Sequence, residues 1–205
     1  MTDLAGREEV EILADKDPGV GLPGRVYLPG YSRTMGPQSH LFAERERLQS
    51  LTWEYFDVKQ LSPTIGAELV GLDLSQELTD EVVSEIQQAL WDYKVIFFRN
   101  QEITSEEQLR FAQRFGELEI HPFLPPNTET PELVRFEKNA NAAGYENQWH
   151  HDVTWRETPS QGAILRAIEI PPIGGDTLFV DANAAYEGLT QERKDEIDSL
   201  NAVHD

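Results

Sequence analysis

Residues 147–155 read NQWHHDVTW, and the fold assignment turns on how this stretch is understood. Two adjacent histidines and an aspartate sit between tryptophans, in a chain that has 5 histidines in all. On an extended strand, residues i and i+2 point to one side and i+1 to the other. His150 and Asp152 then converge, and His151 points away. An imidazole and a carboxylate on one side supply two members of a 2-His-1-carboxylate facial triad, which leaves positions on Fe(II) open for a cosubstrate and dioxygen. The letters H-x-D by themselves are more often a surface hydrogen-bonded pair, so both readings stand at this point.

The flanks are strand-rich. Upstream, LVRFEK (133–138) reads as a strand and NANAAGYEN (139–147) as a polar loop. Downstream, QGAILRAIEI (161–170) reads as a strand, PPIGGD (171–176) as a tight turn and TLFVDA (177–182) as another strand. A helix then opens at NAAYEGL with Asn183 as its cap, and a second helix follows in TQERKDEI (190–197).

Closer to the N-terminus, FDVKQLSPTIGAELVGLDLS (56–75) predicts two short strands joined through Ser62, Pro63 and Gly66. The segment LTDEVVSEIQQALWDYK (78–94) predicts a helix with Thr79 as N-cap. Val82, Ile86, Ala89, Leu90 and Tyr93 line one face of it. VIFFR (95–99) is a continuous apolar run read as a buried strand. Thr104 followed by Glu107 has capping-box spacing and opens a helix through Leu109, Ala112 and Phe115 that stops at Gly116. Strands dominate the second half with helices around them, so the fold class is α+β with an antiparallel sheet.

Residues 1–54 differ from this body. DPGVGLPGRVYLPGYSRTMGPQS (17–39) is dense in Gly and Pro and has no sustained period, which predicts an arm suited to subunit contacts. A homo-oligomer is therefore an open expectation. HLFAERERLQSL (40–51) suits a short helix. The body is taken as residues 55–205.

Bulk properties narrow the function classes. The chain has 205 residues, 39% hydrophobic and 26% charged, a globular balance with room for one ordinary domain. Its 17 basic and 37 acidic residues give a net charge of −20, which opposes general nucleic-acid or anionic-membrane binding. No apolar run approaches the roughly 20 residues of a membrane span. The acidic start lacks a signal-peptide pattern, so a cytoplasmic location is expected. With 0 cysteines, disulfides, thiolate metal sites and cysteine nucleophiles are excluded.

WHHDVTW, ETPSQGAILRA and PPIGGDTLFVDANAAYEGL together resemble the Fe(II)- and 2-oxoglutarate-dependent dioxygenases of the TauD/TfdA (taurine dioxygenase) family. IGAELVGLDLS, KVIFFRNQEIT, FAQRFGELEIHPF and the final NAVHD extend the resemblance, in order, from about Phe56 to Asp205. It implies a double-stranded β-helix, or jelly roll, with flanking helices. It also implies Fe(II) as metal, 2-oxoglutarate as cosubstrate, and hydroxylation of a small organic substrate by O2 with release of succinate and CO2. Sulfonates, sulfate esters and related compounds are the implied substrates.

The resemblance gives His150 and Asp152 as iron ligands and Thr177 as the contact to 2-oxoglutarate. It gives His121 as a substrate-binding histidine, with Val153 and Trp155 on the pocket wall. Trp149 reads as packing. Leu124 stands where the taurine enzyme has tyrosine, and GYENQ (144–148) departs from its pattern before the metal motif. Both departures point away from taurine itself. His204 is the only later histidine, but the resemblance places NAVHD well before the distal iron ligand. That histidine, and the arginine that pairs with 2-oxoglutarate, are expected downstream of Asp205. The 205-residue chain is thus expected to be a fragment, incomplete at its C-terminus and a poor iron binder alone. An inactive relative with a structural role is the alternative. A zinc hydrolase lacks a third ligand at suitable spacing.

Overall fold

The hairpin expected around Gly66 is present in the computed structural model, which describes residues 39–121, 129–137 and 149–203. Strand β1 (Asp57–Gln60) pairs antiparallel with β2 (Ala67–Val70), Asp57 opposite Val70 and Gln60 opposite Ala67. The turn closes as the Leu61 N–H donates to the Gly66 carbonyl at 2.9 Å, and Gly66 takes φ +87°, a conformation that favours glycine. Alternation along β2 sends Ala67 and Leu69 inward, both buried, while Glu68 and Val70 are half-buried. β3 (Ile96–Phe97) joins β2 in parallel, so the sheet order is β1-β2-β3. Only two residues of the VIFFR run form ladder pairs.

Helix α1 (Ser39–Gln49) precedes this sheet, and α2 (Asp80–Tyr93) supplies the crossover between β2 and β3. Thr79 caps α2, its hydroxyl accepting from the Val82 N–H. The buried face of α2 is Val83, Ile86, Ala89 and Tyr93, with Val82 and Leu90 half-buried beside it. The expected face was thus rotated slightly, since Val83 takes the central place assigned to Val82. Ile86 and Ala89 are fully buried. Burying a side chain of isoleucine size contributes about 1.5–3 kcal/mol. The Tyr93 hydroxyl donates to the Leu48 carbonyl at 3.2 Å, and burial pushes its pKa up.

Helix α3 (Ser105–Gln113) carries the capping box reciprocally. The Thr104 hydroxyl accepts from the Glu107 N–H at 3.2 Å, and the Thr104 N–H donates to the Glu107 carboxylate at 2.7 Å. Glu81 and Glu106, in the first turns of α2 and α3, are held below the ordinary carboxylate range by backbone N–H groups. α3 stops at Gln113, and Gly116 lies three residues beyond it. Phe98, Phe111 and Phe115 pack edge to face, with centroids 5.7 Å and 5.0 Å apart along that series.

The chain divides into two compact units, Glu44–Asp181 with Asn201–Asp205, and Met1–Ala43 with Ala182–Leu200. The first holds the sheet, α2, α3 and the core just described. In the second, α4 (Ala182–Glu187) and α5 (Gln191–Ile197) form a pair fastened by Tyr186, whose hydroxyl donates to Asp198 at 2.7 Å, and by Lys194, paired with Glu187 at 2.8 Å. α4 begins at Ala182, so Asn183 lies inside the helix and does not cap it. Thr190 caps α5 by accepting from the Arg193 N–H at 3.3 Å.

The strands expected at 133–138, 161–170 and 177–182 are not in ladders among the described residues, and the sheet there has three strands and no closed barrel. The reason is physical. Ladder hydrogen bonds need a neighbouring strand, and without one a segment's N–H and C=O groups turn to side chains or water. Here one side chain takes part of that role, and a second ties the segment to the residues before α3. Gln108 Nε2 donates to the Ile164 carbonyl at 3.3 Å, and the Arg166 guanidinium donates to the Ile103 carbonyl. Leu165, Ile168 and Leu178 are about seven-tenths exposed (72%, 72% and 71%). Gly174 and Gly175 make the expected turn, both with φ near +75°. Residues 1–38, 122–128, 138–148 and 204–205, with the Gly/Pro arm, Leu124, the loop GYENQ and His204, lie outside the described residues. No helix among the described residues is long and apolar enough to cross a membrane.

Candidate metal centre

The candidate metal-ligating residues lie on the segment after Trp149. Its backbone is a turn over 152–155 and not the strand expected from the alternation. The turn is closed by the Arg156 N–H donating to the Val153 carbonyl at 3.2 Å. Val153 has φ +60°, and a β-branched residue rarely adopts that value. His151 donates from Nδ1 to the Asp152 carbonyl at 2.9 Å, which occupies that ring locally.

His150 Nε2 lies 3.3 Å from Asp152 Oδ1, and both side chains are more than six-tenths exposed (62% and 63%). A nitrogen donor and a carboxylate oxygen therefore face the same space with open access. Such N,O donor pairs suit a divalent transition metal. Among the described residues no group of three or more His, Asp or Glu is placed to hold a metal ion. The fit is thus to two ligand positions.

The loop bearing His121 is tied to this turn by contacts that no local pattern announces. Arg156 pairs through its guanidinium with Glu119, two residues before His121, and the Ser160 hydroxyl donates to the other oxygen of Glu119 at 3.0 Å. The Arg156 guanidinium also lies over the Trp155 ring, 4.9 Å from its centroid, an arrangement favoured by the ring quadrupole. Glu119, Arg156 and Ser160, which link this loop to the turn, were not picked out from the sequence. Charge complementarity between 119 and 156 was visible, but their spacing fits no helix or strand period. His121 is half-buried and Val153 is half-buried, while Trp155 is 43% exposed. Trp149, expected to pack, is 67% exposed.

Thr177 follows the Gly174–Gly175 turn and is exposed. Two residues on, Phe179 packs edge to face with Phe97 of β3, with centroids 6.2 Å apart.

Residues 57–205 match the family described as Taurine catabolism dioxygenase TauD, TfdA family. The chain belongs to this family. It is 39% identical over 150 residues to an alpha-ketoglutarate-dependent sulfate ester dioxygenase of Pseudomonas putida, covering 72% of this chain and 49% of that one. It is 32% identical over 153 residues to an (S)-phenoxypropionate/alpha-ketoglutarate-dioxygenase of Sphingobium herbicidovorans, covering 73% and 53%. A crystal structure of a taurine dioxygenase from Burkholderia xenovorans superposes with a TM-score of 0.61 at 35% identity, over 71% of this chain and 52% of that one. That similarity supports the α+β class. The TauD/TfdA chain described here spans about half the length of the curated relatives it matches.

Proposed function

We propose that the protein to which this chain belongs is an Fe(II)- and 2-oxoglutarate-dependent dioxygenase acting on a small organic substrate with O2. The observation that carries the reading is the His150–Asp152 pair, nitrogen and oxygen 3.3 Å apart and open to solvent. These two side chains hold the metal in this reading, and Thr177 contacts 2-oxoglutarate. When bound, the metal and cosubstrate supply the oxidising power. The chain's own residues position and shield. His121 binds the substrate, and Val153 and Trp155 wall the space beside Asp152. Glu119 holds the His121 loop against the turn through Arg156 and Ser160.

Support for the substrate class comes from the relatives, which act on a sulfate ester and on a phenoxypropionate by their names. A sulfate ester, a sulfonate or a carboxylate-bearing compound shares one feature, an anionic group beside the carbon to be oxidised. A buried or half-buried cation or histidine can recognise that group in a chain whose overall charge is acidic.

Anaerobic titration with Fe(II) and 2-oxoglutarate tests the reading, using the chain and any longer reading frame that contains it. A visible metal-to-ligand charge-transfer band is expected, and His150→Ala or Asp152→Ala abolishes it. A band that survives both substitutions moves the metal elsewhere. No band in either form favours the inactive relative, which the two-ligand fit among the described residues keeps as the second reading.

A further inference from the structure

Arg156 is engaged through both its backbone and its side chain. Its N–H donates to the Val153 carbonyl at 3.2 Å and closes the turn beside Asp152. Its Nη1 pairs with Glu119 Oε1, and the same guanidinium lies over the Trp155 ring, 4.9 Å from the centroid. The other oxygen of Glu119 accepts from the Ser160 hydroxyl at 3.0 Å. One carboxylate therefore holds residues 156 and 160, and it stands two residues before His121.

The Arg156 and Glu119 side chains are 36% and 35% exposed. An ion pair that open to water adds little to stability, so its value lies in placement. Arginine suits that task. Its planar guanidinium offers a rigid fork to a carboxylate and a flat face to an aromatic ring, and lysine offers neither. A guanidinium held by Glu119 is thus a plate on which the indole rests.

We propose that Arg156, held by Glu119, is a positioning residue that sets substrate selectivity by fixing the Trp155 ring. The proposal rests on the reading of Val153 and Trp155 as the wall beside Asp152. A tryptophan ring turns about its side-chain bonds between rotamers, and each rotamer leaves a differently shaped space beside it. A wall held in one position discriminates between a flat aryl group and a thin alkyl chain, whereas a wall free to swing adapts to both.

The test labels the chain with fluorotryptophan and reads fluorine NMR, with the Trp155 signal assigned by its loss in Trp155→Leu. Arg156→Ala and Glu119→Gln are each expected to shift the Trp155 signal. Arg156→Lys, which lacks the planar face, shifts it as well. The Trp53 signal stays in place as a control of folding, because that ring stacks on Phe56 at 5.5 Å beside the core. Selectivity is read with Fe(II) and 2-oxoglutarate supplied, using the chain and any longer reading frame that contains it. The quantity is the ratio of KM values for two probes, a short linear alkyl sulfate and a phenoxypropionate. Arg156→Ala is expected to change that ratio by about threefold or more, the scale of one exposed cation–π contact. A merely structural loss would lower turnover of both probes and leave the ratio alone. A Trp155 signal unmoved by Arg156→Ala and Glu119→Gln overturns the proposal, and so does a ratio that Trp155→Leu alters and Arg156→Ala does not. If Arg156→Ala does not fold, Glu119→Gln reads the same contact. A ratio that Trp155→Leu leaves unchanged sinks the wall reading, and the proposal with it. Absence of turnover with both probes counts against the dioxygenase reading instead, and the fluorine shifts still decide whether Arg156 fixes the ring.

Discussion

Residues 56–115 and residues 149–181 belong to one compact unit yet are held by different means. In the first, Ala67, Ile86 and Ala89 are fully buried, and both helices start with side-chain caps. In the second, Ile170 and Ile173 are 67% and 89% exposed, and tethering comes from single side chains such as Gln108 and Arg166. The difference teaches that a hairpin and a capped helix settle their backbone hydrogen bonds within a few residues. A segment outside any local hairpin settles its own only against strands distant in sequence. The candidate ligands His150 and Asp152, and Thr177, sit on the second kind of segment.

The largest test of this contrast is Ile86→Ala, expected to cost about 2–5 kcal/mol in urea unfolding, because a core site collapses poorly. An effect below about 1 kcal/mol there would mean that the first region is as loose as the second. Thr104→Ala removes one half of a reciprocal cap and is expected to cost about 1 kcal/mol in the same measurement.

Those two sites also mark what was legible. Thr79, Thr104 with Glu107, and the turn at Gly66 obey short-range rules, so residue spacing alone revealed them. His150 and Asp152 do come together, but in a turn and not through the strand alternation expected. Lys94 with Asp181, and Arg156 with Glu119, were not legible. Each is a tertiary ion pair between residues tens of positions apart, and no periodicity encodes such a pair. The 161–170 and 177–182 strands were misread because an apolar run reports a preference for pairing, and pairing needs a partner.

A smaller effect sharpens the picture at the edge of the core. Arg47 binds Glu44 at 2.8 Å and Asp92 at 2.7 Å, tying the end of α1 to α2. The hydrogen bond from Arg47 holds the Glu44 carboxyl below its usual pKa, with burial opposing. A carboxylate whose folded pKa is depressed stabilises the fold above its unfolded pKa, about 4.3, and loses that contribution as pH falls through the folded value. Acid titration of the unfolding midpoint should therefore steepen below about pH 4.3, and Glu44→Gln should flatten that limb. A limb unchanged in Glu44→Gln assigns the acid sensitivity to other carboxylates. The smallest effect is expected at Leu165, where Leu165→Ser should change stability by no more than about 0.5 kcal/mol in the chain. A loss of several kcal/mol would show that residue 165 is covered in solution.

Val153 gives the turn beside Asp152 a second meaning. Glycine at a φ of +60° would relieve the crowding of a branched side chain. Populations of variants can be sorted on two scales, survival of heating and metal-dependent turnover. Sorting for heat resistance alone should enrich glycine at 153. Sorting for turnover should keep a bulky apolar residue there, at the expense of heat resistance. The two selections pull one codon in opposite directions, and position 153 becomes a gauge of which pressure a population has felt.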